Sequence, residues 1–366
     1  MSKVKIGIIG TGVGIRTHLN GFKLCADAEV IAICGSSKTR SQEFAEKYSI
    51  PIACADYKEL CDIAEIDLVC VTSPNRHHLS AVKYAIKREK HVICEKPLSD
   101  DPSEVQEMAT LVEGYKKIAV VDHQLRYNPY VQKIKELIDS GEIGRVYSVK
   151  LNQQGTGFAS TTANWCWSFD GKEGGGVRLA MASHFTDLIQ YWFDSRNVIS
   201  LNGFLNPVTK QRQDKDGNTH NIDASTICAA QINLSEELSV QYYINAGSYV
   251  GSCFDISIFG DQGEIQYSLD QKLSIYKRDN IGNKQVVNVE GVFEDEQQNK
   301  ISIFSGSFRY FVPRIIQAIQ TGDTSIVSLS ANFEDAIYNL QILESIKQSA
   351  NDGNIVVHGK ETNTYV

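Results

Sequence analysis

Val4-Lys5-Ile6-Gly7-Ile8-Ile9-Gly10-Thr11-Gly12-Val13-Gly14-Ile15-Arg16 is an apolar run closed by a glycine-rich turn. The run is short and continuous, as a strand buried on both faces is, and Ile15 to Leu24 behind it has the apolar spacing of a helix. In that setting Gly10 permits a tight turn and Gly12 lets the backbone come close to a pyrophosphate. The helix start adds unpaired N–H groups and the positive end of its dipole. A third glycine is expected at position 15 in such a turn, but Ile15 stands there and Gly14 comes one place early. The strand, turn and helix together predict a dinucleotide site over Gly10, Thr11, Gly12, Val13, Gly14, Ile15 and Arg16.

Working outward, the same alternation continues. Strands are predicted at Glu29 to Cys34, Asp67 to Thr72, His91 to Cys94 and Ile118 to Val121, and helices at Thr39 to Tyr48, His77 to Lys87 and Ser103 to Tyr115. Short apolar strands alternating with helices predict an α/β Rossmann domain with a doubly wound parallel sheet. After a helix at Tyr130 to Ile138 the pattern changes to longer, alternating segments: Arg145 to Gln153, Val198 to Leu205, Ala224 to Leu234, Leu238 to Ile244, Phe254 to Phe259, Glu264 to Ser268 and Lys272 to Tyr276. Gly260-Asp261-Gln262-Gly263 between two of these is a hairpin signal. A second α/β domain follows, with a large, mostly antiparallel, open-faced sheet and helices at His184 to Trp192, Phe308 to Gln320 and Asn332 to Gln348. A chain of 366 residues exceeds one comfortable core, so two domains are expected, 1–123 and 124–366.

Composition excludes several classes of partner. The formal charge of -8 and a pI near 5.6 speak against a nucleic-acid footprint. Met1-Ser2-Lys3 leads straight into a short strand, which predicts neither a leader nor a membrane span, and a cytoplasmic location. The nine cysteines form no C-x-x-C pair and are expected to be reduced. His77-His78 lacks the further ligands that zinc requires, so no metal is expected.

Where the second strand ends, at Cys34, a site preferring NAD places an acidic residue to hold the ribose 2'-hydroxyl. Here Gly35-Ser36-Ser37-Lys38-Thr39-Arg40 follows, with no carboxylate. Ser36, Ser37, Lys38 and Arg40 suit a 2'-phosphate, so NADP is the expected cofactor and NAD the alternative. The fourth Rossmann strand, His91 to Cys94, runs into Glu95-Lys96-Pro97, which puts a lysine near the reactive end of a bound dinucleotide.

The chain resembles the Gfo/Idh/MocA family, named for glucose-fructose oxidoreductase and inositol dehydrogenase. The resemblance rests on Gly10-Thr11-Gly12 with His18, Pro74-Asn75-Arg76-His77-His78, His91-Val92 through Glu95-Lys96-Pro97, Arg126-Tyr127-Asn128-Pro129, Gly141-Glu142-Ile143-Gly144, and Gly174-Gly175-Gly176 followed by Ser183-His184 and Asp187. It implies an NAD(P)-binding Rossmann domain, a substrate-binding and oligomerisation domain, and a dehydrogenase or reductase acting on the hydroxyl or keto carbon of a sugar, cyclitol or related polyol. It also implies a homodimer or homotetramer formed by packing the open sheets. An open, half-apolar sheet needs such cover in any case.

Carried over by resemblance, Lys96 lies beside the nicotinamide and the substrate, Glu95 orients it, and the Lys96-Pro97 bond is open to the cis form. His184 falls at the family's substrate-site histidine, so Lys96 and His184 form the expected acid/base pair, with Asp187 structural. Thr72, Ser73, Pro74, Asn75 and His78 fall in the family stretch flanking the nicotinamide ribose. The family commonly has an aspartate four residues before the histidine; here that position is Ala180. His123 and Arg126 follow the last Rossmann strand, where ligands gather, although Arg126 can equally tie domains together. Trp165 and Trp167 can offer an aromatic face to a sugar ring or simply pack in a core. Two other functions share the scaffold: an NAD-dependent glycosidase, and a non-catalytic dinucleotide sensor, for which Ala180 is the one encouragement.

Overall fold

In the computed structural model, residues 2–160, 163–194, 197–268, 272–293 and 302–358 are described. They form two compact units, Met1–Asn128 with Ile301–Tyr338, and Pro129–Lys300 with Asn339–Val366.

The first unit is built on six strands: β1 Val4–Ile9, β2 Ala28–Cys34, β3 Ile52–Cys54, β4 Leu68–Val71, β5 His91–Cys94 and β6 Ala119–Val121. Their order is β3-β2-β1-β4-β5-β6 and every pairing is parallel, the doubly wound sheet expected of buried apolar strands joined by helices. All four residues of β4 are buried, which is why it reads as a continuous apolar run. The pairing continues past the strand ends. Thr72 N–H donates to the Ile9 carbonyl at 2.8 Å, Glu95 N–H to Val71 at 2.9 Å, and Asp122 N–H to Cys94 at 2.8 Å. The residues just beyond β4, β5 and β6 are thereby lined up along one edge of the sheet.

A single cut at residue 123 does not describe this unit, because it includes the helix Ile303–Thr321. Phe308 meets Phe22 edge to face at 5.5 Å, and Phe308, Phe311, Val312 and Ile315 complete the core under β1. That helix was predicted, but its long-range packing is invisible to local periodicity. β3 and the short helix Tyr57–Cys61 were not predicted, being too short for a repeating pattern.

The second unit carries a nine-stranded sheet: β7 Val146–Gln154, β8 Val198–Asn206, β11 Ile227–Leu234, β12 Ser239–Asn245, β13 Cys253–Gly260, β14 Gly263–Tyr267, β15 Leu273–Lys277, β16 Gln285–Val286 and β17 Val356–Val357. The order is β16-β15-β14-β13-β7-β12-β11-β8-β17, and only β7 with β12 is parallel. The hairpin read from Gly260 to Gly263 joins β13 to β14. Alternation puts Leu151, Tyr242, Ile256 and Ala230 on an inner face. The inner face is covered by the helices Pro129–Asp139 and Ser183–Phe193 and by residues 339–352: Tyr130 lies 5.0 Å from Tyr267, Phe185 5.9 Å from Tyr242, and Gly203 N–H donates to Ser349 Oγ at 2.9 Å. The outer face carries rows such as Asp255-Asn152-Tyr243-Ala229-Phe204 and Ser257-Lys150-Gln241-Gln231-Asn202. Phe204 is 52% exposed and Tyr243 40%.

A small hairpin, β9 Gln211–Gln213 with β10 Thr219–Asn221, was also not predicted. Neither strand contains an apolar residue, so no alternation signalled it. Among the described residues no helix is long and apolar enough to cross a membrane.

Candidate functional site

The glycine turn after β1 combines crowding and open space. Gly10 has φ +117°, and a Cβ there would lie 2.5 Å from the Thr72 carbonyl oxygen. A Cβ on Gly14 would fall 2.4 Å from Thr72 Oγ1 and 2.7 Å from an Ile8 methyl. Gly14 therefore takes the close-packing role usually given to the third glycine, and Ile15 at the usual place is simply buried in the core. Gly12 is exposed and a Cβ there would meet nothing within 4 Å. This open backbone at the start of the helical segment Gly14–Leu19 fits an approaching pyrophosphate. Thr11 and Val13 flank it half-buried, and Arg16 is exposed one turn on.

Ser37 caps the helix Lys38–Tyr48, its hydroxyl accepting from Arg40 N–H at 3.2 Å. Arg40 Nε donates to Thr11 Oγ1 at 3.0 Å, so this guanidinium borders the glycine turn, with its plane over Phe44. Lys38 is turned elsewhere: its ammonium donates to the Ala53 carbonyl at 2.6 Å and pairs with Glu59 at 3.3 Å. Ser36 and Ser37 are both exposed. Thr72 Oγ1 donates to the Ile9 carbonyl at 2.8 Å, fixing the loop Ser73-Pro74 that follows β4. Asn75 is buried at the start of the next helical turn. His78 is fully buried with its ring between the Ser73 carbonyl (Nε2, 2.8 Å) and the Leu98 carbonyl (Nδ1, 3.0 Å). It fastens this loop to the chain beyond the cis Lys96-Pro97 bond.

At the edge beyond β5 and β6 lies a compact group of charges. His18 Nε2 is 3.0 Å from Glu95 Oε1 and 3.1 Å from Asp122 Oδ2, and both His18 and Asp122 side chains are wholly buried. The imidazole rests on Phe308, with ring centroids 4.2 Å apart. Burial alone would lower the His18 pKa, but the contacts with Asp122, Cys70 and Glu95 win and hold it well above 6.5. Glu95 is kept below the usual carboxylate range: burial pushes it up, but His18 and Lys96 favour its charged form. Asp122 is pushed up to about 6, first by burial and then by the Glu95 charge, against the pull of His18. The three side-chain atoms lie within 4.8 Å of one another, and a proton on His18 shared toward two carboxylates accounts for the arrangement.

Lys96 is partly exposed directly after Glu95. Burial lowers its pKa, while Glu95 and Asp122 oppose that change. His123 is buried, and burial together with Arg126 and Lys96 drives its pKa well below 6.5, so it is neutral near pH 7. Arg126 donates from Nη1 to Asp335 Oδ2 at 3.3 Å, which ties it to the helix Phe333–Asp352. Asp122 was missed in the sequence. Its signal was its place immediately beyond β6, the position where ligands gather in such sheets.

In the second unit His184 is 3% exposed on the helix Ser183–Phe193. That helix is fixed by Asn339 Nδ2 donating to the Ser183 carbonyl at 2.8 Å, and Ser183 Oγ donates to the Leu179 carbonyl at 2.7 Å. Ala180 is exposed one turn earlier, and Asp187 is buried one turn later. Arg178 anchors the preceding turn to Glu344 at 2.8 Å. Trp165 stacks on His220 at 4.3 Å and packs against Phe169, Ile222 and Ala224. It serves a local core, whereas Trp167 is 41% exposed.

Residues 4–123 match the family described as "Oxidoreductase family, NAD-binding Rossmann fold", and residues 135–358 match its C-terminal alpha/beta domain. An uncharacterized oxidoreductase of Synechocystis is 25% identical over 72% of this chain and 71% of its own length. The glucose-6-phosphate 3-dehydrogenase of Bacillus subtilis is 25% identical over 72% of this chain and 74% of its own. Among solved structures, a levoglucosan dehydrogenase in complex with NADH and levoglucosan superimposes with a TM-score of 0.85 at 19% identity, covering 98% of this chain and all of that one.

Proposed function

The chain belongs to the Gfo/Idh/MocA family of oxidoreductases, and from that premise we propose that this nicotinamide-dependent dehydrogenase acts on a secondary hydroxyl, or the matching ketone, of a sugar or cyclitol. One observation carries the reading. Lys96 stands at the carboxyl edge of the Rossmann sheet with its proton affinity lowered by burial, the condition a lysine needs to exchange protons near neutral pH. When bound, the nicotinamide ring accepts or returns the hydride. In the oxidative direction neutral Lys96 takes the hydroxyl proton as the hydride leaves carbon, and in reduction the ammonium returns it. His184 is assigned to substrate, sharing the proton or orienting the hydroxyl. Gly10, Gly12 and the helix start are assigned to the pyrophosphate, and the Thr72 to Asn75 loop to the nicotinamide ribose.

NADP is the preferred cofactor in this account. Support comes from the lack of a carboxylate after Cys34, from exposed Ser36 and Ser37, and from Arg40 at the glycine turn through Thr11. Lys38 contributes less than the sequence suggests, because Glu59 and Ala53 hold it. The division of labour follows the two units, cofactor on the first and substrate specificity with self-association on the second. The nine free cysteines favour the cytoplasm, where thiols stay reduced.

The test is a screen of polyols, aldoses, inositols and their keto forms, read by absorbance of the reduced nicotinamide with each cofactor. Turnover of at least one compound class is expected. Absence of turnover across all classes, in a protein that binds the cofactor, would contradict the assignment.

A further inference from the structure

Asp122, His18 and Glu95 come from three separate places in the chain and meet with their side chains buried. His18 arrives on the helical segment after the glycine turn, Glu95 follows β5 and Asp122 follows β6. Two buried carboxylates about one imidazole are costly to assemble, since each charge gives up its hydration. Fold stability alone would be served as well by apolar side chains of similar size. The main-chain ladder holds the two carboxylates in place, Glu95 N–H on Val71 and Asp122 N–H on Cys94. Phe308 closes the ring's other side. Lys96 follows Glu95 directly and its main-chain N–H donates to Glu95 Oε2 at 3.3 Å, so the amine starts from the edge of the cluster; burial lowers its pKa and the two carboxylates oppose that change.

We propose that Asp122 is a positioning residue that sets the charge state of Lys96, acting through its ion pair with His18 and in concert with Glu95. The inference rests on Lys96 being the proton-transfer group, and it concerns how that lysine is tuned. With His18 protonated and both acids ionised, the cluster carries a net charge of minus one, which favours the ammonium. When Asp122 takes up a proton the cluster is neutral, and the ammonium loses that support. The amine and the carboxyl are therefore linked: loading a proton onto Asp122 makes Lys96 a readier donor, and unloading it makes Lys96 a readier acceptor. The other groups bearing on this exchange are Cys70 beside His18, Cys94 beside Asp122, His78 near Glu95, and His123 and Arg126 with its partner Asp335. Of these Arg126 is a fixed cation, the thiols and His123 are held neutral by burial, and burial lowers the His78 pKa against the pull of the carbonyls it faces.

Competitive labelling of the full-length protein with trace acetic anhydride between pH 5 and 11, with Lys96 acetylation quantified by mass spectrometry, reads the titration of this one amine without any substrate. In Asp122→Asn the Lys96 midpoint should move down by about half a pH unit or more, the scale of one lost charge contact in a partly shielded site. Asp122→Glu should restore it. His18→Gln removes the cation and should move the midpoint up. Opposite displacements distinguish charge setting from loosened packing, which would carry both variants toward the ordinary lysine value. An unmoved or raised midpoint in Asp122→Asn, or a lowered or unmoved one in His18→Gln, overturns the proposal; Asp122→Ser, for which the same downward shift is expected, replaces Asp122→Asn if that variant does not fold. Should Lys96 prove dispensable for turnover, the functional assignment fails while the labelling result still stands on its own.

Discussion

His18 Nε2 lies 3.1 Å from Asp122 Oδ2, with neither side chain exposed to solvent. Burial lowers the pKa of a histidine so placed, but Asp122, Cys70 and Glu95 hold it well above 6.5, which favours the imidazolium near neutral pH. The sign of its linkage follows. A folded pKa raised above the unfolded value gives stability that is fully present below pH 6.5 and is lost as pH rises through the raised value. Glu95, depressed in the fold, behaves oppositely, its contribution disappearing as pH falls through its lowered value. Long-range ¹⁵N–¹H spectra at pH 7.5 should show both His18 ring nitrogens protonated, and denaturant midpoints should fall above neutrality in the wild type and less so in His18→Gln. A neutral ring at pH 7.5 contradicts this assignment.

The glycines of the turn separate binding from stability. Gly12→Ala places a methyl in open space, so the melting temperature should hold while cofactor affinity drops about tenfold or more, because the backbone no longer closes on the pyrophosphate. Gly14→Ala drives a methyl into Thr72 and Ile8 and should cost about 1–3 kcal/mol of stability. Calorimetric titration and thermal melts of the two variants check the contrast. An equal loss of stability in both would show that Gly12 is a packing glycine.

Calorimetric titration also decides the cofactor. NADP should bind more tightly than NAD, and Arg40→Ala should weaken NADP about five- to a hundred-fold, the worth of a charged hydrogen bond of roughly 1–3 kcal/mol. Lys38→Ala should matter less, because its ammonium is already committed to Glu59. Equal affinity for NAD, or no effect of Arg40→Ala, contradicts the preference.

The outer sheet face predicts association. Phe204 and Tyr243 stand out of a polar surface on the same cross-strand row, either side of Ala229, and sedimentation at micromolar concentration should report a dimer or tetramer. Phe204→Asp should shift the protein toward monomer. A wild-type monomer under those conditions would refute assembly through this face.

Much of the frame is readable because its strands obey local rules. β1, β4 and β5 are apolar runs buried on both sides, and β7, β11, β12 and β13 alternate between a packed and an open face. Elements without such patterns escaped, as the polar strands Gln211–Gln213 and Thr219–Asn221 show. In the proposed site, the turn glycines were singled out by spacing and Lys96 by its place after a strand and by resemblance, and the fold puts Lys96 just beyond β5. Gly14 taking the role expected of position 15 did not, because it depends on Thr72 from another strand. Likewise Lys38 and Arg40 look equivalent in sequence, and only the fold shows one held by Glu59 and the other placed at Thr11. Asp122 meets His18 only through the sheet order, so neither residue alone marks the cluster.

Lys96 is the centre of the account, and its replacement is the most direct test. With a substrate from the screen, steady-state kinetics of Lys96→Met should show kcat lowered about a hundred-fold or more, the usual worth of general acid/base catalysis, with cofactor binding by fluorescence nearly intact. His184→Asn should cost less, about ten- to a hundred-fold. A Lys96→Met enzyme with near-normal kcat, or a His184→Asn variant that is much the less active of the two, would make the histidine the principal acid/base and contradict the account.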